Sequence, residues 1–299
     1  MDLKQLSFFV AVAEELHFAK AAVRCHTTQS VISRQLKRLE DEVGVELLTR
    51  TTRDVRLTRS GGLFLRDARR VLRHADRARA SAASAAGGGS GRLSIGFTPA
   101  SGSALIPTVV RSFREAMPGV AVDLVEMGSP DLETALNEEL LDCAILHPSG
   151  NACALRATLL GYEPMLAVLS PGHRLARKRA INARDLEGQD LVFYRRERAG
   201  RLFDDFVDLL RKAGVTPPPL IPCSTFGSAM TAAASAIGIA FLPRSLCVQP
   251  KEPVRFASFA NGSLRLAHVF ATREEDANDK MIRCFQACVL GHCDALEPP

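Results

Sequence analysis

The 299-residue sequence contains no run of about 18 consecutive apolar residues, so no segment reads as a bilayer-spanning helix. The apolar stretch near the N-terminus, MDLKQLSFFVAVAEELHF, turns acidic and lacks a small-residue cleavage site, which excludes a signal peptide and points to the cytoplasm. Eight cysteines are scattered without a close-set framework, and a chain of this length needs no disulfides, so reduced thiols are expected. Cys284, Cys288 and Cys293 with His292 match no structural zinc spacing, and neither a metal nor a cofactor is expected. There is no Gly-x-Ser-x-Gly elbow, no His-Glu-x-x-His and no dinucleotide fingerprint after a strand, so the chain does not read as an enzyme. The seven histidines are dispersed, and His147 and His173 sit at strand ends, where core or loop roles suffice. The glycine-rich run Gly87–Gly91 is not followed by Lys-Ser/Thr, which argues against a phosphate-binding loop.

What remains is a protein of ordinary globular composition, 46% hydrophobic and 24% charged, long enough for two or three domains. Its charge is unevenly placed. Residues 1–92 hold 17 Lys/Arg against 10 Asp/Glu, whereas the remainder holds 21 against 23. A basic head on a slightly acidic body fits a nucleic-acid contact at one end.

The head carries the matching pattern. Leu6, Phe9, Val10 and Ala13 recur at helical spacing over Leu3–Leu16, and Phe18–Cys25 is a short alanine-dense helix. A second break at Thr27-Thr28 opens another helix, with Thr28 in the N-cap position and Gly44 at its end. On that helix Val31, Ile32, Leu36, Leu39 and Val43 face inward, while Gln29, Ser30, Ser33, Arg34 and Lys37 face outward. Amide, hydroxyl and guanidinium groups on one face are the chemistry that reads base edges and phosphates. Leu47–Leu57 alternates around Thr51-Thr52-Arg53-Asp54 and reads as a two-stranded wing with a polar tip.

Residues 59–86 predict one long helix. Phe64, Ala68, Val71, Ala75, Ala78 and Ala82 form an a/d seam too narrow to be buried alone, which expects pairing with a second copy or packing against the same chain. A flexible linker follows at 87–91. From Arg92 strands and helices alternate: strands over Leu93–Thr98, Val120–Met127, Asp142–Leu146, Met165–Leu169, Leu191–Tyr194, Leu220–Cys223, Ile239–Leu242 and Leu264–Ala271. Helices are expected over Ala104–Met117, from Ser129, and over Arg201–Ala213, Gly227–Ala236 and Asn278–Leu290. Repeated β-α units predict an α/β fold with mostly parallel sheets in two similar lobes.

These segments resemble the LysR-type transcriptional regulators over essentially the whole chain. The resemblance rests on LKQLSFFVAVAEELHFAKAA, TTQSVISRQLKRLEDEVGVELLTR and RTTRDVRLTRSG in the head, and on IGFTP, VDLVEMGS, LDCAIL, SPGHRLA and GIAFLP downstream. It implies a winged helix-turn-helix (1–58), a dimerisation helix (59–86), a hinge (87–91) and an effector domain (92–299) like a periplasmic binding protein. Lobe I would take about 92–161 and 267–299, and lobe II about 162–266. Carried over, Gln29, Ser30, Ser33 and Arg34 would read base edges, Arg53 would enter a minor groove, and Thr28, Lys37 and Arg50 would hold phosphate. A small organic effector, such as a carboxylate, would sit among Thr98, Pro99, Ala100, Ser101, Ser103, Ser129, Phe193, Arg195, Thr225 and Phe226. Double-stranded DNA, the effector, further copies as dimer or tetramer, and RNA polymerase are the implied partners. A cysteine-based redox sensor on the same scaffold and a solute-binding protein are the alternatives. The sequence departs from the family at Ser30, where proline is common, at Thr58-Arg59-Ser60-Gly61, and at Ala236, where glycine is usual.

Overall fold

The computed structural model describes residues 1–50, 55–85, 91–148, 155–247, 253–260 and 264–298. The chain divides into two compact units, Met1–Arg92 with Glu138–Leu140, and Leu93–Asn137 with Leu141–Pro299.

In the first unit, α1 (Leu3–Glu15), α2 (Phe18–Arg24) and α3 (Gln29–Val43) form a three-helix head. A reciprocal cap between Asp2 and Gln5 starts α1. Ala21 and Ala22 are buried and let α2 approach its neighbours closely. The inward face of α3 is the expected one, with Ile32, Leu36 and Leu39 fully buried. The wing is an antiparallel pair, β1 (Leu48–Arg50) and β2 (Val55–Leu57), with Leu48 opposite Leu57. Glu40 of α3 accepts the backbone N–H groups of Leu47 and Leu48 at 2.9 and 3.1 Å, fixing where the wing leaves the head.

The long helix α4 (Arg59–Ala85) shows that its stripe is divided. Phe64 lies edge-on to Phe9 at 5.3 Å, and Ala68 is buried with Leu65 in the core of the head. Of the six seam positions, these two therefore pack within the same chain. Val71 is 43% exposed, Ala75 half-buried and Ala78 exposed, which leaves the later part of the seam open. Ala82 lies outside the residues whose side chains are described, as do Arg50 and the whole of Arg53.

The second unit is built on β3 (Gly91–Phe97), β4 (Val120–Glu126), β5 (Cys143–Leu146), β6 (Leu155–Leu169), β7 (Ala180–Ile181), β8 (Leu191–Tyr194), β9 (Ile221–Cys223), β10 (Ile239–Pro243), β11 (Arg255–Phe259) and β12 (Arg265–Arg273). Its helices are α5 (Pro99–Ala104), α6 (Ile106–Ala116), α7 (Ser129–Asn137), α8 (Gly200–Lys212), α9 (Phe226–Ala234) and α10 (Lys280–Leu290). The strand order is β4-β3-β5-β12-β6-β10-β8-β9, with β11 on β6 and β7 on β11. Lobe I has a core around Phe113, Phe270 and Phe285, and lobe II one around Phe193, Phe206 and Phe241.

The sheet is less parallel than the β-α rhythm predicts. β3–β5, β8–β9 and β8–β10 are parallel, but β12 runs antiparallel to β5 and β6, and β6 antiparallel to β10 and β11. The reason is β6, a 15-residue strand of which only Met165–Leu169 is legible from sequence. Gly161 and Pro164 interrupt its pattern. The register against β12 shifts at Leu160, between the pairs His268–Gly161 and Val269–Leu159. Gly161 is required there, since its φ is +149° and a Cβ would lie 2.6 Å from the Glu297 carbonyl oxygen.

Ala236, between α9 and β10, has a left-handed backbone, with φ of +57°. A left-handed alanine costs roughly 1–2 kcal/mol, and glycine returns about 0.4–1 kcal/mol through the freer unfolded chain. Ala236→Gly is thus expected to stabilise this unit by about 0.5–1 kcal/mol, read as a higher melting temperature. An unchanged or lowered value would contradict the left-handed turn.

Candidate functional site

Two groups of residues carry chemistry, one in each unit. On α3, Thr28, Gln29, Ser30, Arg34 and Lys37 are exposed and Ser33 is half-buried, so the outward face is the one expected. Thr28 holds the N-cap position by backbone geometry, but its hydroxyl makes no cap bond and instead meets the Ser30 hydroxyl at 3.0 Å. Among the described residues Arg34 and Lys37 form no ion pair, and their charges stay available to an external anion. An unpaired guanidinium and an amide on the exposed face of a helix can each make bidentate contacts to base edges.

The second unit holds a cavity of about 360 Å³ lined from both lobes. Its polar groups stand at the carboxyl ends of strands, where chain direction turns backbone amides and helix N-termini inward: Thr98 after β3, His147 after β5 and Thr225 after β9. Of the ten residues expected here, Thr98, Pro99, Ser129, Thr225 and Phe226 line the cavity. The other five lie elsewhere. Ala100 is buried against the lobe II core, and Ser101 is buried beneath Thr98. Ser103 is exposed and donates to the Ser245 carbonyl. Phe193 is stacked on Phe206 at 4.3 Å inside lobe II, because β8 is buried on both faces. Arg195 is exposed outside the cavity, and its backbone N–H donates to the Cys223 carbonyl.

The cationic side chains that do reach the cavity are Arg198, Arg201 and Arg265. Arg198 bridges the lobes by pairing with Asp131 at 2.7 Å. Arg265 lies over the Tyr162 ring at 4.5 Å and within 3.8 Å of Glu297, and Arg201 is 3.8 Å from Asp205. The aromatic walls are Tyr162, Tyr194 and Phe226. Tyr162 and His147 lie outside the segments expected to form the site, although His147 at a strand's carboxyl end carried the signal.

His147 is half-buried, with both ring nitrogens bonded: Nδ1 to the Ala267 carbonyl at 2.9 Å and Nε2 to the Thr98 hydroxyl at 2.8 Å. Loss of hydration pushes its imidazole down to about 3, and the neighbouring His268 adds to this, outweighing the Ala267 bond. It is therefore neutral at pH 7. Behind it, Ser101, His268 and Glu163 superficially repeat a nucleophile–base–acid series, at 3.2 and 3.0 Å. Ser101 is fully buried and does not line the cavity, so a substrate has no approach to its oxygen.

Burial pushes the Cys223 thiol up to about 11 and the Cys247 thiol to about 12, and Cys143 well above its ordinary value. Cys153 lies outside the described residues. Among the described residues no His/Cys/Asp/Glu group is arranged to hold a metal ion, and no helix is long and apolar enough to cross a membrane.

Comparison with known proteins agrees with both halves of this arrangement. Residues 3–62 match the bacterial regulatory helix-turn-helix proteins of the lysR family, and residues 86–294 match the LysR substrate binding domain. The HTH-type transcriptional regulator AlsR of Bacillus subtilis is 33% identical over 278 residues, covering 93% of this chain and 92% of AlsR. The DNA-binding transcriptional dual regulator OxyR of Escherichia coli is 32% identical over 252 residues, covering 84% and 82%. Among solved structures, full-length CbnR in complex with its target DNA superimposes with a TM-score of 0.77 at 25% identity, covering 97% of this chain and 99% of CbnR. The chain belongs to the LysR family: it is a LysR-type transcriptional regulator with a helix-turn-helix and a substrate-binding domain.

Proposed function

We propose that this regulator binds a specific operator through the outward face of α3 and answers to a small organic anion held in the cavity of its second unit. The cavity carries the ligand half of this reading. Three arginines and the N-terminus of α7 surround walls of tyrosine, phenylalanine and proline, which suits a carboxylate on an apolar body. The exposed seam positions Val71 and Ala78 of α4 support self-association as a dimer, with a tetramer as the larger assembly, and RNA polymerase is the further partner. The cytoplasm is the compartment that fits such a protein, and the reading assigns it no catalytic step.

A thermal-shift screen with small organic acids, aromatic carboxylates and amino acids tests the ligand half. A true ligand at 100 times its Kd raises stability by about 2.7 kcal/mol. Stabilisation by uncharged analogues but by none of the acids would overturn the anion reading. For the head, Arg34→Ala is expected to cost roughly 1–3 kcal/mol on the operator and to relax base preference, whereas Lys37→Ala weakens all DNA alike. Equal losses on operator and random DNA for Arg34→Ala would remove its base-reading role.

The redox alternative draws on relatives named hydrogen peroxide-inducible genes activators. At Cys223 burial opposes it: with its thiol pushed up to about 11, that residue is thiolate in only about one molecule in ten thousand at pH 7.

A further inference from the structure

From the cavity lining into the interior, five polar side chains form one continuous chain of hydrogen bonds. It starts at the Ala267 carbonyl and passes through His147, Thr98, Ser101 and His268 to Glu163, with contacts of 2.9, 2.8, 2.9, 3.2 and 3.0 Å. Each contact needs one hydrogen, and the partners dictate where it sits. A carbonyl only accepts, so His147 donates from Nδ1, and the neutral ring leaves Nε2 as an acceptor. Thr98 must then donate to His147 and accept from the Ser101 hydroxyl. Ser101, its hydrogen spent, must accept from His268 Nδ1. Five contacts thus require five hydrogens, whereas the two hydroxyls and two neutral imidazoles supply four. The fifth lies between His268 Nε2 and Glu163, both almost fully buried, and the Ser245 N–H on the other Glu163 oxygen favours the carboxylate.

We propose that Thr98, Ser101, His268 and Glu163 form a proton-ordered relay that holds one extra proton in the interior and delivers it to the cavity lining at His147. Reversal is balanced within the chain. The His268 Nδ1–H, Ser101 O–H and Thr98 O–H bonds break, and new bonds form from hydrogen to Ser101 oxygen, Thr98 oxygen and His147 Nε2. The positive charge moves from His268 to the ring that faces the ligand, and Glu163 keeps its carboxylate. His268 and Glu163 line no part of the cavity and are positioning residues. In the ordered state Thr98 and His147 offer a ligand no free donor. An anion in the cavity favours the reversed state, a consequence that rests on the proposed function, whereas the relay itself does not.

Glu163 also ties the relay to lobe II. Ser245, whose N–H it accepts, stands in the turn after β10, and the carbonyl of Ser245 accepts from Ser103 of α5. A change in the Glu163–His268 pair therefore acts on a contact between the lobes.

The test needs no ligand. In the full chain labelled with 15N-histidine, solid-state NMR at pH 7 distinguishes bare from protonated ring nitrogens, with signals assigned by omission in His147→Asn and His268→Asn. Wild type should show one bare nitrogen on His147, Nε2, and none on His268. In Thr98→Val, Ser101 loses its acceptor and turns its hydrogen to His268, so His268 should gain a bare Nδ1. Thr98→Ser should restore the wild-type pattern, a rescue that packing alone would not produce. In Glu163→Gln, the new amide donates to His268, so the bare nitrogen should be Nε2 instead. A bare nitrogen on wild-type His268, or a Thr98→Val spectrum with His268 still doubly protonated, would overturn the relay. Failure here leaves the thermal-shift result untouched, and the reverse holds as well.

Discussion

Replacing Gly61 with alanine is expected to unfold the head and abolish DNA binding. Gly61 lies in the first turn of α4, where a Cβ would sit 1.9 Å from the Leu47 carbonyl oxygen and 2.9 Å from its carbon. Neither side can yield cheaply. That carbonyl accepts the Thr58 N–H at 3.0 Å, the Leu47 N–H is held by Glu40 at 2.9 Å, and the Leu47 side chain is buried. On the other side, the Gly61 N–H donates to the Thr58 hydroxyl, whose own hydrogen goes to the Glu46 carbonyl. Backbone overlap of this kind should cost about 3 kcal/mol or more, a large part of the stability of so small a unit. Gly62→Ala is the control. No atom lies within 4 Å of its added carbon, and the helix should gain up to about 1 kcal/mol. Binding to an operator selected from a random pool, with melting followed in parallel, separates the two. Wild-type affinity in Gly61→Ala would show that α4 and the strand entry do not meet this closely.

This close approach also shows what was legible in the sequence. The inward face of α3, the glycine at its end and the wing all follow from local periodicity and turn chemistry, and the structure reproduces them. The seam of α4 was legible as a stripe but not in its partner, because Phe64 and Ala68 satisfy a core and a coiled coil equally well. Of the ten residues expected at the cavity, half line it. Thr98 and Thr225 were expected there through the family resemblance, and the structure shows both as helix caps at strand ends that line it. Phe193 does not line it: all four residues of β8 are buried, and alternation cannot say which face meets a ligand. Nor could a run of arginines reveal that the turn closed by Arg195 and Arg198 brings the latter, and not the former, to the cavity. The relay was out of reach altogether: Ser101 and His268 are 167 positions apart, and only the folded sheet joins them.

The second large effect is on stability against pH. In the folded protein the His147 imidazole is pushed down to about 3, while in the unfolded chain it returns to about 6.5. Between those values the unfolded state binds a proton that the folded state refuses, so stability rises with pH through this window and levels off above it. Going from pH 7 to pH 5 should therefore remove about 2 kcal/mol from the second unit through this ring alone. The groups around it do not supply a counter-charge that would reverse the sign. His268 packs edge-on at 4.7 Å and repels a second cation, Thr98 and the Ala267 carbonyl are uncharged, and Glu126 and Asp205 share the cavity lining with Arg198, Arg201 and Arg265. Other acids also titrate in this range, so the diagnostic quantity is a difference. His147→Asn cannot take up a proton in either state, and its amide can still donate to Ala267. It is expected to melt lower than wild type at pH 7 but to lose about 2 kcal/mol less on acidification to pH 5, equivalent to about 4–8 °C for a unit of this size. Parallel pH profiles in the two proteins would mean that the folded ring accepts a proton near its ordinary value. The neutral acceptor on which the direction of the relay depends would then be lost as well.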